Sequence, residues 1–423
     1  MSSLPGSPDH QGNPLPSSAD RPSFGAEHSL ALALGGGGAR GAYQAGVLRG
    51  LARCFPHLRF PILTGVSAGA VNTVHLASHT GTLEQSTEAL VNLWLSLTPE
   101  KVFEVNTLPL ARNMLRWALR LVGGGMSAHE PRRGLVNTAP LRRFLSDTLQ
   151  VAPDAPIAGI RRNIDSGALR AVALTATSYS TGQSVTWIEG RDIEPWQRPQ
   201  RRTHATSLTV DHIMASSAIP MLFPAVRIRD EWYGDGGVRL TAPLSPALHL
   251  GATRIIAIST RYAGTIEEAS VRAIDGYPSP AQVLGILFNA VFLDQVDEDI
   301  RRLNTVNQLL RRVPPEQRGG LREVDNLVIR PSRDLGRIAR KFEPRLPGFF
   351  RYLTRGLGTR SSRSADMLSL ILFQEDYLRV IMQLGEEDAE RDAGRIEAFL
   401  ADAPHASGSF ASQRLDRVHA AGP

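Results

Sequence analysis

Cysteine is almost missing from this chain of 423 residues. Cys54 stands alone, so no intrachain disulfide can form. Long apolar runs are missing as well. Nothing approaches the roughly 18 uninterrupted apolar residues of a spanning helix, which makes the body soluble or peripheral to a membrane. The first residues carry no basic-then-apolar leader pattern, so cytoplasmic residence is the default expectation. No internal repeat recurs, which argues against a solenoid or propeller. What is present is ordinary globular material, with 42% hydrophobic residues and length enough for two or three average domains or one large α/β domain with additions. The formal net charge of +6, carried mostly by arginine, suits an anionic partner such as a phospholipid surface or nucleic acid, and equally a plain arginine-rich protein.

Residues 1–27 are rich in Ser, Pro, Gly and Asp and bury too little surface to offset their ordering entropy; a disordered tail is expected there and again over 403–423. Order is expected from Ser29 to Leu34, a short apolar strand running directly into Gly35-Gly36-Gly37-Gly38-Ala39-Arg40-Gly41. Tyr43, Val47, Leu51 and Cys54 then recur at helical spacing. Gly36 to Gly41 fits G-x-G-x-x-G, but a dinucleotide site needs an acid about 20 residues on, and no Asp or Glu occurs between Glu27 and Glu84. A P-loop is excluded too, because Ala42 and Tyr43 stand where Lys and Ser or Thr are required. What remains is geometry. The unhindered N–H groups of Gly37 and Gly38 lie next to the positive end of the helix that starts near Gly41, and such donors suit an oxyanion. Arg40 either adds a fixed charge or braces the loop.

The stretch Gly65-Val66-Ser67-Ala68-Gly69 follows a short apolar run from Phe60 and precedes a buried helix pattern from Ala70 to Leu76. Ser67 therefore sits where strand meets helix. The G-x-S-x-G spacing removes two Cβ atoms where the chain must pass close to its neighbours, so that a strained turn can lift the hydroxyl out of the sheet. A plain Gly-Ser turn without chemistry fits the pentapeptide as well.

Thr82 to Leu97 has a helix pattern. Leu108, Ala111, Leu115, Ala118 and Val122 then make one apolar face while Arg112, Arg116 and Arg120 make another, either a surface helix or one lying on an anionic membrane. Asn137 or Thr138 caps the next helix. Leu169–Thr177 and Ser184–Ile188 form a hairpin, Glu194–Thr206 is loop-like, and Asp211–Pro220 is a small-residue helix ended by proline. Trp232-Tyr233-Gly234-Asp235-Gly236-Gly237 is an aromatic strand turning through Asp-Gly-Gly, where Asp235 is a turn residue or a carboxylate presented into a site. Arg254–Ser259 is a core strand that completes the α/β body. Beyond it lie helical patterns over Ala281–Leu310 and Asp366–Leu384, and a basic stretch between Pro331 and Arg363 interleaved with Phe342, Phe349, Phe350 and Tyr352. No nucleic-acid fold signature accompanies that stretch, so nucleic acid is not expected as a partner.

A serine becomes a nucleophile only with a base in hydrogen-bond reach and donors aimed at the developing oxyanion. The base could be a histidine, in a Ser-Asp-His triad, or a carboxylate, in a dyad. His249 falls at a helix end and His405 and His419 in the terminal tail, none a convincing triad member. The blocks Gly36–Gly41, Gly65–Gly69 and Asp235-Gly236-Gly237, in this order, resemble those of the patatin-like phospholipase family. Ser216-Ser217-Ala218-Ile219-Pro220 with Phe223-Pro224, Ala242-Pro243-Leu244, and Gly251-Ala252 before Ile255 extend the resemblance from about Leu30 to Thr260; the part through Gly385 is similar to bacterial members, less specifically. Gly35 stands where many members carry Ser. The resemblance implies a three-layer α/β fold with a mainly parallel central sheet flanked by helices, a catalytic domain over 28–262, and a helical C-terminal extension over 263–402 packed on it. It implies a lipid acyl hydrolase of phospholipids or related acyl esters. Ser67 would be the nucleophile and Asp235 the general base. Gly36, Gly37, Gly38, Ala39, Arg40 and Gly41 would form the oxyanion hole, chiefly through the Gly37 and Gly38 amides. No metal or cofactor is called for, and peripheral contact with an anionic membrane is an option. The alternatives are a catalytically idle membrane-associated protein of the same fold and a triad esterase using His249.

Overall fold

β1 (Leu30–Leu34) is written Leu-Ala-Leu-Ala-Leu, and in a computed structural model of the protein this alternation sorts its side chains between two cores. Leu32 and Leu34 join Leu63, Leu174, Ile256 and Ile258 on one face of a sheet, while Ala31 and Ala33 join Ile62, Ala173, Ile255 and Ala257 on the other. The structure describes residues 30–104, 136–265, 294–345 and 366–401, with isolated positions between 267 and 291. The expected tails, the amphipathic segment 108–122 and the aromatic residues Phe349, Phe350 and Tyr352 lie outside the described residues.

After β1 come α1 (Gly41–Cys54), β2 (Ile62–Val66), α2 (Ala68–Ser78) and α3 (Leu83–Leu95), whose start is set by a capping box between Thr82 and Gln85. Then follow α4 (Ala139–Leu149), α5 (Ala158–Asp165), β3 (Ala171–Ser178), β4 (Ser184–Gly190), β5 (Gln197–Arg198), β6 (Arg201–Ala205) and α6 (Val210–Ser216). Next are β7 (Val226–Ile228), β8 (Glu231–Asp235), α7 (Ser245–His249), β9 (Arg254–Ile258), α8 (Gln295–Leu310) and β10 (Asp325–Ile329). The described chain closes with α9 (Leu335–Arg340), α10 (Asp366–Ile371), α11 (Glu375–Arg391) and α12 (Ala393–Ala401).

The ten strands form one sheet in the order β10-β9-β1-β2-β3-β4-β6-β5, with β7 and β8 branching from β3. From β10 to β3 every pairing is parallel. Helices α1, α2 and α11 bury residues such as Leu48, Val74 and Ile381 on the leucine face, whereas Ala247 of α7 and Val296, Ile300 and Leu303 of α8 cover the alanine face. The expected three layers with a mainly parallel sheet are present.

Several elements differ from expectation. The stretch Glu194–Thr206 is not all loop: β6 pairs in parallel with β4, and Thr203 Oγ1 holds the backbone of Trp196. The α/β body is not complete at Ser259, because β10 adds a further parallel strand beside β9. The mainly helical C-terminal part thus also belongs to the sheet. The pattern over Ala281–Leu310 is interrupted at Asp294, and α8 starts afresh with Asp297 and Glu298 in its first turn, where acids complement the helix dipole. The pattern over Asp366–Leu384 is two helices, α10 and α11. Between them Leu372, Phe373 and Gln374 leave the helix, with Leu372 and Phe373 buried and Gln374 in an extended conformation (φ −109°, ψ 131°) at the start of α11. The small-residue helix α6 stops at Ser216, four residues before Pro220.

α1 crosses α11 with almost no side chains between them. A Cβ at Gly46 would lie 1.9 Å from the Met382 carbonyl oxygen, and one at Gly385 would lie 2.4 Å from the Tyr43 carbonyl oxygen. The crossing is tied by Asp388, fully buried, which accepts from the Tyr43 hydroxyl at 3.0 Å and the Ser332 N–H at 2.9 Å and pairs with Arg391. Burial together with the neighbouring Asp388 carboxylate pushes the Tyr43 hydroxyl well above its usual range.

Candidate active site

Ser67 joins β2 to α2 with φ 56° and ψ −128°, a conformation that costs a residue with a Cβ and persists only where its surroundings enforce it. The two glycines of the turn are sterically required. A Cβ at Gly65 would meet Thr73 Oγ1 at 2.3 Å and the Gly69 carbonyl oxygen at 2.6 Å, and one at Gly69 would meet the Leu34 carbonyl oxygen at 2.3 Å. Val66 and Ala68, on either side of the serine, are buried. The enforcement comes from the end of α6. The Ser67 N–H donates to Ser216 Oγ at 3.0 Å, that hydroxyl donates to the Thr175 carbonyl at 2.6 Å, and Ser217 Oγ donates to the Ser67 carbonyl at 3.0 Å. Both peptide groups of the serine are held by neighbours about 150 residues away in the chain.

Sheet register brings Asp235 to the same place. β2 ends at Val66, opposite Thr175 of β3; β3 runs on, and β8 takes the vacated side, pairing Asp235 with Ala176. The residue after Val66 and the last residue of β8 thus meet across one step of β3. The Asp235 N–H donates to the Ala218 carbonyl at 2.9 Å and its own carbonyl accepts from Thr177 Oγ1 at 2.8 Å. Gly236 is pressed against the Thr175 carbonyl, where a Cβ would come within 2.1 Å. The carboxylate is fully buried. Oδ1 accepts from the Gly237 N–H at 2.8 Å, while Oδ2 has no partner at hydrogen-bond geometry. The Ser67 hydroxyl is close enough to favour the charged form yet has not closed a bond to Oδ2. Burial outweighs both neighbours and pushes the Asp235 pKa up to about 7.

The glycine loop closes the third side. A Cβ at Gly36 would lie 3.1 Å from Ser67 Cβ and 3.7 Å from its Oγ, so the loop passes directly beside the hydroxyl. Gly37 and Gly38 have φ of 150° and 54°, and among the described residues no hydrogen bond takes up either N–H. Ala39 and Arg40 are buried, and Gly41 opens α1 with its Cα against Ala68 and Trp94. Arg40 is a brace: only 3% exposed, it donates from Nε to Ser369 Oγ at 2.7 Å.

The structure therefore brings together Ser67, Asp235 and the glycine loop, three stretches that are far apart in the chain. Among the described residues no histidine joins them. His249 stacks on Trp196 with ring centroids 4.5 Å apart, the His75 Nε2 meets the Ser86 carbonyl oxygen at 3.0 Å, and His212 caps Thr209; burial holds the last two near pKa 4. Among the described residues no imidazole is hydrogen-bonded to Ser67 or Asp235, and no three His, Cys, Asp or Glu side chains converge as a metal site. Sequence reasoning passed over the clamping roles of Ser216 and Ser217, which it carried only as part of a resembling block. It also passed over Thr260 and Ser369, for which a serine or threonine in isolation offers no signal.

Fold and site define a class, an α/β protein with a serine at a strained strand-to-helix turn. A patatin-like phospholipase family model matches residues 32–248, more than half of the chain, and the chain belongs to that family of lipid acyl hydrolases. No curated protein matches it. Among solved structures it is similar to VipD from Legionella pneumophila, at 11% identity over 84% of this chain and 67% of that one, with a TM-score of 0.31. It is also similar to human GIVD cytosolic phospholipase A2, at 12% identity over 90% of this chain with a TM-score of 0.41. A third is the SpcU–ExoU complex of Pseudomonas aeruginosa, at 16% identity over 56% of this chain with a TM-score of 0.25. The chain spans 61% of the length of the human phospholipase chain and 45% of the third. Among the described residues no helix is long and apolar enough to cross a membrane.

Proposed function

We propose that the protein hydrolyses carboxylic esters of phospholipids or related acyl lipids, with Ser67 as nucleophile, Asp235 as general base and the Gly37 and Gly38 amides as oxyanion donors. The observation that carries this reading is the unpartnered Oδ2 of a fully buried Asp235 beside the Ser67 hydroxyl. A buried acceptor without a donor is costly, and a serine proton passing to it would both satisfy it and release the nucleophile. Ser67 Oγ then bonds to the ester carbonyl carbon while its proton goes to Asp235 Oδ2. Negative charge develops on the carbonyl oxygen against the N–H groups of Gly37 and Gly38, which no acceptor among the described residues takes up. Collapse breaks the ester C–O bond, and the departing alcohol takes the proton back from Asp235. Water, deprotonated by the same carboxylate, then attacks the acyl-enzyme, releasing the fatty acid and restoring Ser67.

A pKa held near 7 matches a group that must both accept and return a proton near neutrality. Because the substrate is a lipid, peripheral contact with a lipid surface forms part of the proposal. Turnover of short-chain nitrophenyl esters and of phospholipid vesicles tests the reading, with pelleting of the same vesicles reporting surface contact. Ser67→Ala is expected to lower kcat by about 10³-fold or more and Asp235→Asn by about 10²- to 10⁴-fold. Full activity in either variant sinks the dyad. A fluorophosphonate that leaves Ser67 unlabelled in the native protein would point instead to an idle member of the family.

A further inference from the structure

The glycine loop is gripped by residues that lie beyond the part of the chain matched by the family model. We propose that Thr260 and Ser369 are positioning residues for ester hydrolysis, setting the directions of the Gly37 and Gly38 N–H groups; this rests on the oxyanion role given to those groups above. Glycine has no strong preference between left- and right-handed backbone conformations, so four of them in succession do not define a donor geometry by themselves. Something outside the loop must hold it.

Two segments do so from opposite sides. Thr260, just past the end of β9, donates from Oγ1 to the Gly36 carbonyl at 3.0 Å, and a Cβ at Gly37 would approach the same hydroxyl to 2.7 Å. Ser369, in α10, accepts from Arg40 Nε at 2.7 Å. The next residue presses its carbonyl on the loop so closely that a Cβ at Gly38 would lie 2.1 Å from the Leu370 oxygen. The loop is thus touched at 36, 37, 38 and 40 by partners 224 and 329 residues distant in sequence. Within the loop itself the Arg40 N–H donates to the Gly37 carbonyl at 3.0 Å and the Gly41 N–H to the Gly38 carbonyl, bonds that curl its end toward α1 and leave Gly36 and Gly37 to be fixed from outside. Arg40 is buried, so deleting the Ser369 hydroxyl removes an acceptor that water cannot replace. The guanidinium and the loop attached to it would then shift. Oxyanion donors act through preorganisation, so a small turn of the Gly37 and Gly38 N–H groups lowers kcat more than it alters substrate binding.

The test is turnover per active site, with sites counted by fluorophosphonate labelling of Ser67, so that a loss of folded protein does not enter the rate. Ser369→Ala and Thr260→Val are expected to lower kcat per labelled site by about 10-fold, below the roughly 10²- to 10³-fold that follows loss of an oxyanion donor itself. KM and the pH midpoint should stay where they are, since Asp235 is untouched. Ser369→Thr, which keeps the hydroxyl, should recover most of the rate. If Ser369→Ala yields no folded protein, Thr260→Val, which removes one hydroxyl at nearly constant shape, decides the matter. The proposal is overturned if kcat per labelled site stays within about twofold of native, or if kcat falls only together with an equal shift in the pH midpoint. A native protein that neither labels nor turns over esters overturns the hydrolase reading and this proposal with it; a native enzyme unaffected by these variants overturns this proposal alone.

Discussion

Asp235 is fully buried, with Oδ1 satisfied by the Gly237 N–H and Oδ2 without a closed hydrogen bond among the described residues, and this desolvation keeps its pKa up at about 7 instead of the usual 3.8. Between those two values the folded protein holds a proton that the unfolded chain has lost. The stability linked to the group is therefore fully present below 3.8 and is lost as pH rises through 7. The loss amounts to at most about 4 kcal/mol, from roughly 1.4 kcal/mol per unit of pKa difference. Asp235→Asn keeps an acceptor for Gly237 and cannot ionise, so its stability advantage over the native protein should widen between about pH 4 and pH 8, as denaturant melts at several pH values would reveal. Activity should move the other way. The base works only when ionised, so kcat/KM should climb along an acid limb with its midpoint near 7. A midpoint in the ordinary carboxylate range would contradict both the burial and the role. Ser67 and the turn glycines were legible from their spacing, because the steric demands of a strand-to-helix turn are local. The clamp by Ser216 and Ser217 was not, because a buried hydroxyl looks like any other serine until its partners are placed.

At the scale of elements, β1, β2, the hairpin of β3 and β4, and β9 announce themselves by short apolar runs between turn residues. β6 does not: Arg-Arg-Thr-His-Ala is polar because it lies near the edge of the sheet, where only part of each side chain is covered. The division between α10 and α11 was invisible for a related reason, since the apolar spacing continues across the break while the backbone changes direction. The close crossing of α1 and α11 yields a sharp pair of expectations. Gly46→Ala must push against the Met382 backbone and should cost about 3 kcal/mol or more. Gly394→Ala, in α12 with open space around it, should instead stabilise the protein by up to about 1 kcal/mol. Chemical denaturation of the two variants beside the native chain measures both, and equal effects would mean that the crossing is looser than described.

For the whole molecule, the C-terminal part is structural to the sheet and to the site. It supplies β10 along the edge of β9, α11 against the glycine face of α1, and Ser369 against Arg40. A chain ended at residue 262 is therefore expected to aggregate, because the buried strand β9 would become a bare edge and α1 would expose its crossing face. Soluble yield and labelling at Ser67 would report this, and a monomeric, labelled product would refute it. The sequence by itself determined the local chemistry: a strand feeding a glycine loop, a serine between two required glycines, an aspartate before a tight turn, and short apolar strands interspersed with helices. Each follows from sterics and alternation within a few residues. Only the tertiary structure decided that β8 enters beside β3 one step past the end of β2, that no described histidine reaches the serine, and that partners hundreds of residues away hold the loop. Those features depend on which strands pair and which side chains lose their water, and neither is encoded within any short window of the chain.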